Sequence, residues 1–409
     1  MFHIFDFFLT NELGHFYEYD LSIIKELQTR NLEVKVYAPV ESSILVIQNI
    51  KTTLVFRSLS KYYGISKLLP SIFGKIYSSI YESFMIFSDL KSIKNDVFLK
   101  DDRLFFPTIN HRQLLSVIWW FKGIPKDRRP HLILLFHFEE NPSQRRCLFC
   151  PRMIYQIGFF IIEKYKDFNI MIATDSEELS HDYQLMTKKK VETFPIPHIK
   201  KSSSHRVRTL SAPVISYLGE ARGEKGFHLL PAAIESVLSR KEFSDTRFLI
   251  QVSSNKQNDS SEIQETKKKL RELAKSYIGS IQLEEKNLTG KEYHYSLLES
   301  DVLLLPYSQK AYRSRTSGIF AEGMGLGKLM VIPENTWMYK QVLKFRGIAI
   351  PFEDATPASL ANAIVRSINF FKGNNQECLL SASERWNSYH NSEKIVDILM
   401  SVDSTRSST

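Results

Sequence analysis

Three cysteines in 409 residues leave little for covalent stapling, and Cys147, Cys150 and Cys378 fit a chain kept in a reducing compartment. The spacing of Cys147 and Cys150 is that of a zinc or redox pair. A structural zinc needs a second ligand pair, and none with suitable spacing follows, so packing or chance is the plainer reading. No apolar stretch approaches the ~20 residues a membrane span needs. The opening Met-Phe-His-Ile-Phe-Asp has no basic region and too short an apolar run for a secretory signal, so a cytoplasmic protein is expected. Low-complexity tracts and internal repeats are absent. So are the Gly-Lys-Ser/Thr of a P-loop and the Gly-x-Gly-x-x-Gly dinucleotide fingerprint. No Asp-x-Asp metal motif follows a strand; Asp101-Asp102 precedes one and reads as a solvated turn. Neither a metal nor a resident cofactor is expected. The net charge is +9, but no recognised nucleic-acid motif accompanies it, so nucleic acid is not the expected partner.

What is present is a folded α/β chain. Apolar residues make up 43% and charged residues 24%, ordinary values for a globular protein, and the length suits two domains better than one core. Strands are expected at 2–8, 32–38, 132–136 and 169–173, with helices at 16–30 and 176–185. The stretch from about 40 to 100 is harder to read. Thr193-Phe-Pro-Ile-Pro-His198 ends regular structure, and the basic, polar run Lys200 to Arg208 reads as a linker. The second half alternates more cleanly, with strands at 214–218, 247–252, 280–283, 302–305, 329–332 and 348–350. Alternation of this kind implies parallel sheets covered on both faces, with ligands at the carboxyl ends of the strands. The expected division is 1–198 for a first Rossmann-like domain, 199–208 for the linker, 209–375 for a second, and 376–409 for a final helix and tail.

Two segments carry chemistry. In Ile215-Ser-Tyr-Leu-Gly-Glu-Ala-Arg-Gly-Glu-Lys-Gly226 an apolar run ends at Gly219, then Arg222 and Lys225 precede an amphipathic helix expected over 227–239. Strand, glycine turn, cations and helix start together suit a phosphate group. A plain turn with solvated charges is the alternative. In Asp301-Val-Leu-Leu-Leu-Pro-Tyr307 a buried strand precedes Arg313-Ser-Arg-Thr-Ser-Gly-Ile-Phe-Ala-Glu-Gly-Met-Gly-Leu-Gly-Lys328. Thr316, Ser317 and Gly318 suit a helix start whose amides face an anion. Glu322, one turn in, can bind a pair of sugar hydroxyls.

Taken together, Gly-x-x-Arg-x-x-Lys-Gly and the later Ser-Gly turn with its glutamate helix resemble the GT-B glycosyltransferases, particularly glycosyltransferase family 4. The resemblance implies two doubly wound domains facing a cleft, and a final helix that crosses back to the first domain. It implies transfer of a sugar from a nucleotide-diphosphate sugar, without a metal, to a lipid-linked or polysaccharide acceptor. In this reading Gly219, Arg222, Lys225, Arg315, Ser317 and Gly318 hold the donor, Glu322 holds the ribose and is counted with His137 as catalytic, and Gly14 and His15 face the acceptor. His137 ends a buried strand, where the family often places a histidine against the donor sugar; a satisfied structural histidine reads equally well. Glu139 and Glu140 are next door, candidates for a general base or a solvated loop. The sequence departs from the family's Glu-x7-Glu motif: Glu322 matches the second glutamate, and Ser314 stands in place of the first. That leaves retention or inversion open. It also keeps two other readings, a non-catalytic GT-B subunit and another nucleotide-sugar enzyme such as an epimerase. Basic and aromatic segments at 61–87 and at 114–129, the latter with Trp119 and Trp120, suit either core helices or peripheral contact with an anionic inner membrane face.

Overall fold

The computed structural model describes residues 1–12, 15–57, 71–94, 97–137, 151–165, 168–197, 213–254, 259–373 and 376–401. The chain divides into two compact units, Met1–Ile199 with Asn391–Thr409, and Lys200–His390.

In the first unit the strands are β1 (Phe2–Phe5), β2 (Val34–Pro39), β3 (Val46–Ile47), β4 (Ile50–Phe56), β5 (Arg103–Phe106), β6 (His131–Phe136), β7 (Ile170–Thr174) and β8 (Val191–Thr193). They form one sheet in the order β3-β4-β2-β1-β5-β6-β7-β8, parallel throughout except for the β3–β4 pairing. The helices are α1 (His15–Thr29), α2 (Ser71–Ser92), α3 (His111–Lys122), α4 (Pro151–Lys164) and α5 (Glu177–Thr187). Central strands buried on both faces need near-continuous apolar runs, and β6, His-Leu-Ile-Leu-Leu-Phe, is buried along its whole length. Strand periodicity then sorts the residues. Leu104, Phe106, Leu132, Leu134 and Phe136 join one core, while Phe105, Ile133 and Leu135 join the other. Local sequence starts the helices: Asn110 and Gln113 form a capping box for α3, and the Ser176 side chain caps α5.

The second unit contains β9 (Val214–Tyr217), β10 (Arg247–Gln251), β11 (Ile281–Glu284), β12 (Val302–Leu304), β13 (Leu329–Pro333) and β14 (Ala349–Phe352). Their order is β11-β10-β9-β12-β13-β14, all parallel. Helices α6 (Leu230–Leu238), α7 (Ser261–Ser276), α8 (Gly290–Glu299), α9 (Gly318–Gly325), α10 (Trp337–Lys344), α11 (Pro357–Lys372) and α12 (Glu377–Tyr389) complete it. The sheet order steps outward in both directions from β9 and β12, so the loops leaving these two neighbours diverge at a switch point, where open α/β sheets hold ligands. α9 lies tight on the sheet: a Cβ at Gly323 would come within 2.5 Å of Leu303 Cδ1 and Met330 Cε.

Three readings change in detail. The helix expected over 227–239 begins as a 3-10 turn, Phe227–Leu229, because Pro231 follows at once, and becomes α-helical from Leu230. The single final helix is two: α12 ends at Tyr389, and the Asn391 side chain caps α13 (Ser392–Met400), whose Ile395, Val396 and Leu399 enter the first unit's core. Asp102 is not a solvated turn residue. It is 3% exposed and accepts hydrogen bonds from the Leu99 amide at 2.8 Å and His3 at 3.3 Å.

Candidate functional site

The second unit assembles most of the candidate donor residues at the carboxyl ends of β9 and β12. Gly219 has φ of 110°, and its amide donates to Gln251 Oε1 at 2.6 Å. A Cβ there would lie 2.7 Å from Ile319 Cδ1 and 3.3 Å from Lys225 Nζ, so the bare glycine leaves room between the start of α9 and the lysine. Gly226 has a different task. Its φ is 68° and a Cβ would meet the Pro306 carbonyl oxygen at 1.9 Å, so this glycine seats the turn 223–225 against the end of β12. The Glu224 carbonyl accepts from the Ser308 amide at 2.8 Å and pins the same two loops.

The three cations of this region are not alike. Arg222 donates from Nε and Nη2 to Glu220, the first at 2.8 Å, and its Nη1 lies 3.7 Å from Glu224 Oε1. Arg315 Nη1 lies 3.2 Å from the same Oε1, and its guanidinium stands 5.2 Å from the Tyr312 ring centre. Lys225 is partly buried over the Tyr307 ring, 5.7 Å from its centre, and makes no ion pair among the described residues. Burial lowers its pKa to about 8, with Arg222 and Arg315 pushing the same way against Glu220 and Glu224. The site thus carries one unpaired ammonium and two guanidiniums already engaged by carboxylates. Residue order across the two segments marks three cations, Arg222, Lys225 and Arg315, for a ligand; Glu220 and Glu224, which stand beside the first two, supply the difference.

Ser317 caps α9, accepting from the Phe320 amide at 3.3 Å, and Gly318 is the first residue of that helix. Glu322 lies one turn in and is partly buried. Tyr293, from α8, donates its hydroxyl to Glu322, and burial followed by that carboxylate pushes the phenol well above its usual pKa. The sequence gives little sign of Tyr293, an aromatic residue on the helix after β11. The Ser314 side chain is fully buried, whereas Arg313 is exposed. A cavity of about 370 Å³ opens beside this loop, lined by Glu220, Arg222, Glu224, Ser254, Asp259 and Ser260 among others. Lys267 holds one wall of it through Asp259, at 2.8 Å, and Ser254, at 2.5 Å.

In the first unit, His137 follows β6 directly. Its Nε2 donates to the Pro107 carbonyl at 2.7 Å and its Nδ1 lies 2.8 Å from Asp175 Oδ2. Both neighbours are acceptors, so both ring nitrogens are best satisfied when protonated. Burial opposes this, but Asp175, Pro107 and Asp6 outweigh it and raise the pKa. Both ring nitrogens of His137 are thus engaged, and neither offers a free lone pair. Asp6 and Asp20 lie close to it, both fully buried; burial raises Asp6 to about 6 and Asp20 well above the carboxylate range, the Asp6 charge adding to the second. The Asp6 carboxylate also accepts from the Phe8 amide at 2.7 Å and fixes the loop after β1. Gly14, Glu139, Glu140, Cys147 and Cys150 lie outside the described residues, as does the side chain of His15, the first residue of α1. Among the described residues no group of three or more His, Cys, Asp or Glu is placed to hold a metal ion.

No family model and no curated protein matches the chain. Solved structures do. A glycosyltransferase from Rickettsia africae superimposes with a TM-score of 0.66 at 11% identity, covering 100% of this chain and 99% of that one. Anabaena HepE in complex with UDP gives 0.66 at 11% identity, with 100% of both chains covered. The catalytic domain of starch synthase IV from Arabidopsis thaliana, bound to ADP and acarbose, gives 0.64 at 11% identity and 99% coverage of each. The fold is therefore GT-B, two Rossmann-like units of doubly wound parallel sheet. These neighbours include more than one kind of glycosyltransferase, so the family 4 assignment rests on the motifs alone.

Proposed function

We propose that the protein is a metal-independent glycosyltransferase of the family 4 kind, which moves a sugar from a nucleotide-diphosphate sugar to a lipid-linked or polysaccharide acceptor. The observation that carries this reading is Lys225. A partly buried ammonium with no carboxylate partner, set beside two guanidiniums and the start of α9, is a costly arrangement that an incoming diphosphate relieves. In this reading Arg222, Lys225, Arg315 and the α9 amides at Ser317 and Gly318 hold the diphosphate, and Gly219 leaves it room. As the glycosidic bond to the diphosphate breaks, the same cations stabilise the charge that develops on the leaving group. Glu322, oriented by Tyr293, accepts from the ribose hydroxyls. His137 keeps the catalytic role, and Gly14 and His15 the acceptor-side role, that the family resemblance implies.

The neighbours bound to UDP and to ADP lend support, as proteins of this fold that take nucleotides. Peripheral membrane contact is part of the proposal. Phe84 on α2, Trp119 on α3 and Phe160 on α4 are all more than half exposed, and Lys122 stands over the Trp119 ring. No helix among the described residues is long and apolar enough to cross a membrane. The test is turnover on a panel of UDP-, GDP- and CMP-sugars, with and without a chelator, in the presence of lipid-linked acceptors. Nucleotide binding without transfer or hydrolysis of any donor would favour a non-catalytic subunit, the second reading, which the burial of Ser314 at the first motif position supports.

A further inference from the structure

Glu224 stands where a ligand oxygen would be expected. Its Oε1 serves two guanidiniums from different loops, Arg315 at 3.2 Å and Arg222 at 3.7 Å. Its backbone is fixed: the turn 223–225 is bonded to Ser308 through the Glu224 carbonyl, and Gly226 is wedged against Pro306. The carboxylate can therefore leave only by turning about its own side-chain torsions. Leaving is easy, because the side chains of Arg222, Glu224 and Arg315 are 46%, 41% and 38% exposed, and exposed ion pairs bind weakly. Without a carboxylate here, Arg222, Lys225 and Arg315 would repel one another across the site.

We propose that Glu224 is a built-in stand-in for a phosphate group: it bridges Arg222 and Arg315 in the nucleotide-free protein, and the diphosphate of the donor displaces it. This rests on the donor-site reading above and adds a regulatory step to it. A carboxylate that returns as the diphosphate leaves competes with rebinding of the spent nucleotide, so Glu224 limits product inhibition while keeping the nucleotide-free loop ordered.

The test is Glu224→Gln, which keeps the shape and removes the charge. Calorimetry with inorganic diphosphate, and separately with UDP, GDP and ADP, should show affinity raised about two- to fivefold over the unsubstituted protein. Glu224 also supports the ammonium of Lys225, so the pH above which binding weakens should move down in the variant. A merely structural Glu224 would not produce that shift together with tighter binding. Unchanged or weaker binding of inorganic diphosphate by Glu224→Gln, with its circular dichroism intact, would overturn the proposal. Tighter inorganic diphosphate binding with no nucleoside diphosphate bound by either protein would uphold the role of Glu224 and sink the donor reading instead.

Discussion

Replacing Lys225 with methionine should stabilise the free protein and cripple its affinity for diphosphate. Methionine keeps an apolar stem over Tyr307 and removes the charge. The lysine pKa of about 8, against an ordinary 10.5, measures what the fold pays to hold that ammonium, with burial the first cause and Arg222 the second. A tenfold loss of proton affinity corresponds to about 1.4 kcal/mol. Discounted for partial exposure and solvent screening, the penalty is about 1–2 kcal/mol. The sign follows from linkage. A depressed lysine pKa means that the unfolded chain binds more protons than the native one between the two values. The penalty is therefore complete below about 8 and vanishes as pH rises towards 10.5. Lys225→Met should be more stable by about 1–2 kcal/mol at neutral pH, with the gain fading in that alkaline window. Binding moves the other way. A lost charge-assisted contact to phosphate costs about 1.5–3 kcal/mol, roughly 10- to 150-fold in Kd. The unsubstituted protein should also lose affinity as pH climbs past about 8, because the bound anion requires the protonated lysine. Thermal unfolding without ligand and calorimetric titration with a nucleoside diphosphate read the two effects. A variant that is less stable and binds diphosphate as well as before would refute the argument.

Arg222→Ala should cost less affinity than Lys225→Met, about 0.5–1.5 kcal/mol, because Glu220 already engages that guanidinium and its loss frees a competitor; titrations run side by side decide the order, and a larger loss for Arg222→Ala counts against the paired state. Glu322→Gln should weaken nucleoside diphosphate binding with little change in unfolding temperature, and Tyr293→Phe should do the same more mildly by freeing the carboxylate it orients. Ser314→Ala should show the reverse, a lower unfolding temperature with diphosphate affinity intact, since Ser314 is fully buried; loss of diphosphate binding in Ser314→Ala with none in Glu322→Gln would remove the motif alignment. Asp20→Asn should flatten the pH profile of stability: the carboxyls of Asp6 and Asp20 are raised by burial, so the stability they give is complete below 3.8 and falls as pH rises through about 6 and beyond. Unfolding curves of Asp20→Asn that run parallel to those of the parent from roughly pH 4 to 8 would exclude the raised carboxyls. Trp119→Asp should halve or abolish sedimentation with anionic vesicles while leaving turnover on a soluble acceptor intact, and equal sedimentation of the parent with neutral and anionic vesicles would discard the membrane contact.

Much of the fold could be read because both sheets are parallel and covered on two faces. Such strands must be continuous apolar runs, so Leu132 to Phe136 and Leu329 to Ile332 announce themselves without alternation. What resisted reading was the stretch from 40 to 100. There β4 has a mixed pattern of burial along Ile50–Phe56, and β3 is a two-residue antiparallel edge, too short to leave a period. The final two helices look like one in the sequence because Glu377 to Met400 keeps helical periodicity across a break. Only the capping of Asn391 onto the Lys394 amide, at 2.8 Å, marks the restart, and an asparagine with a turn's worth of polar residues is a common sight inside exposed helices. Asp102 was misplaced for a related reason: two adjacent aspartates look solvated until a buried histidine from another strand, His3, turns out to face one of them.

In the candidate donor site, residue order speaks to backbone conformation more readily than to the state of the side chains. Glycine spacing and a helix start describe backbone, which is local, and so the turn at Gly219 and the helix start at Ser317 are legible in residue order. Whether a cation is open to a ligand depends on which carboxylates reach it, and those contacts cross loops: Arg315 meets Glu224 over a separation of 91 residues. The pairing changes what donor binding means physically. If diphosphate met three bare cations, association would neutralise all of them and release the counterions they had gathered, and affinity would fall steeply with salt. In the proposed site the two guanidiniums are already paired with carboxylates, which a phosphate oxygen would have to replace, so most of the charge is balanced before any ligand arrives. Under that proposal Lys225 alone would gain a partner that it lacks among the described residues. The electrostatic gain is therefore concentrated on one partly buried group, where screening is weakest, rather than spread over the exposed arginines, where screening is strongest.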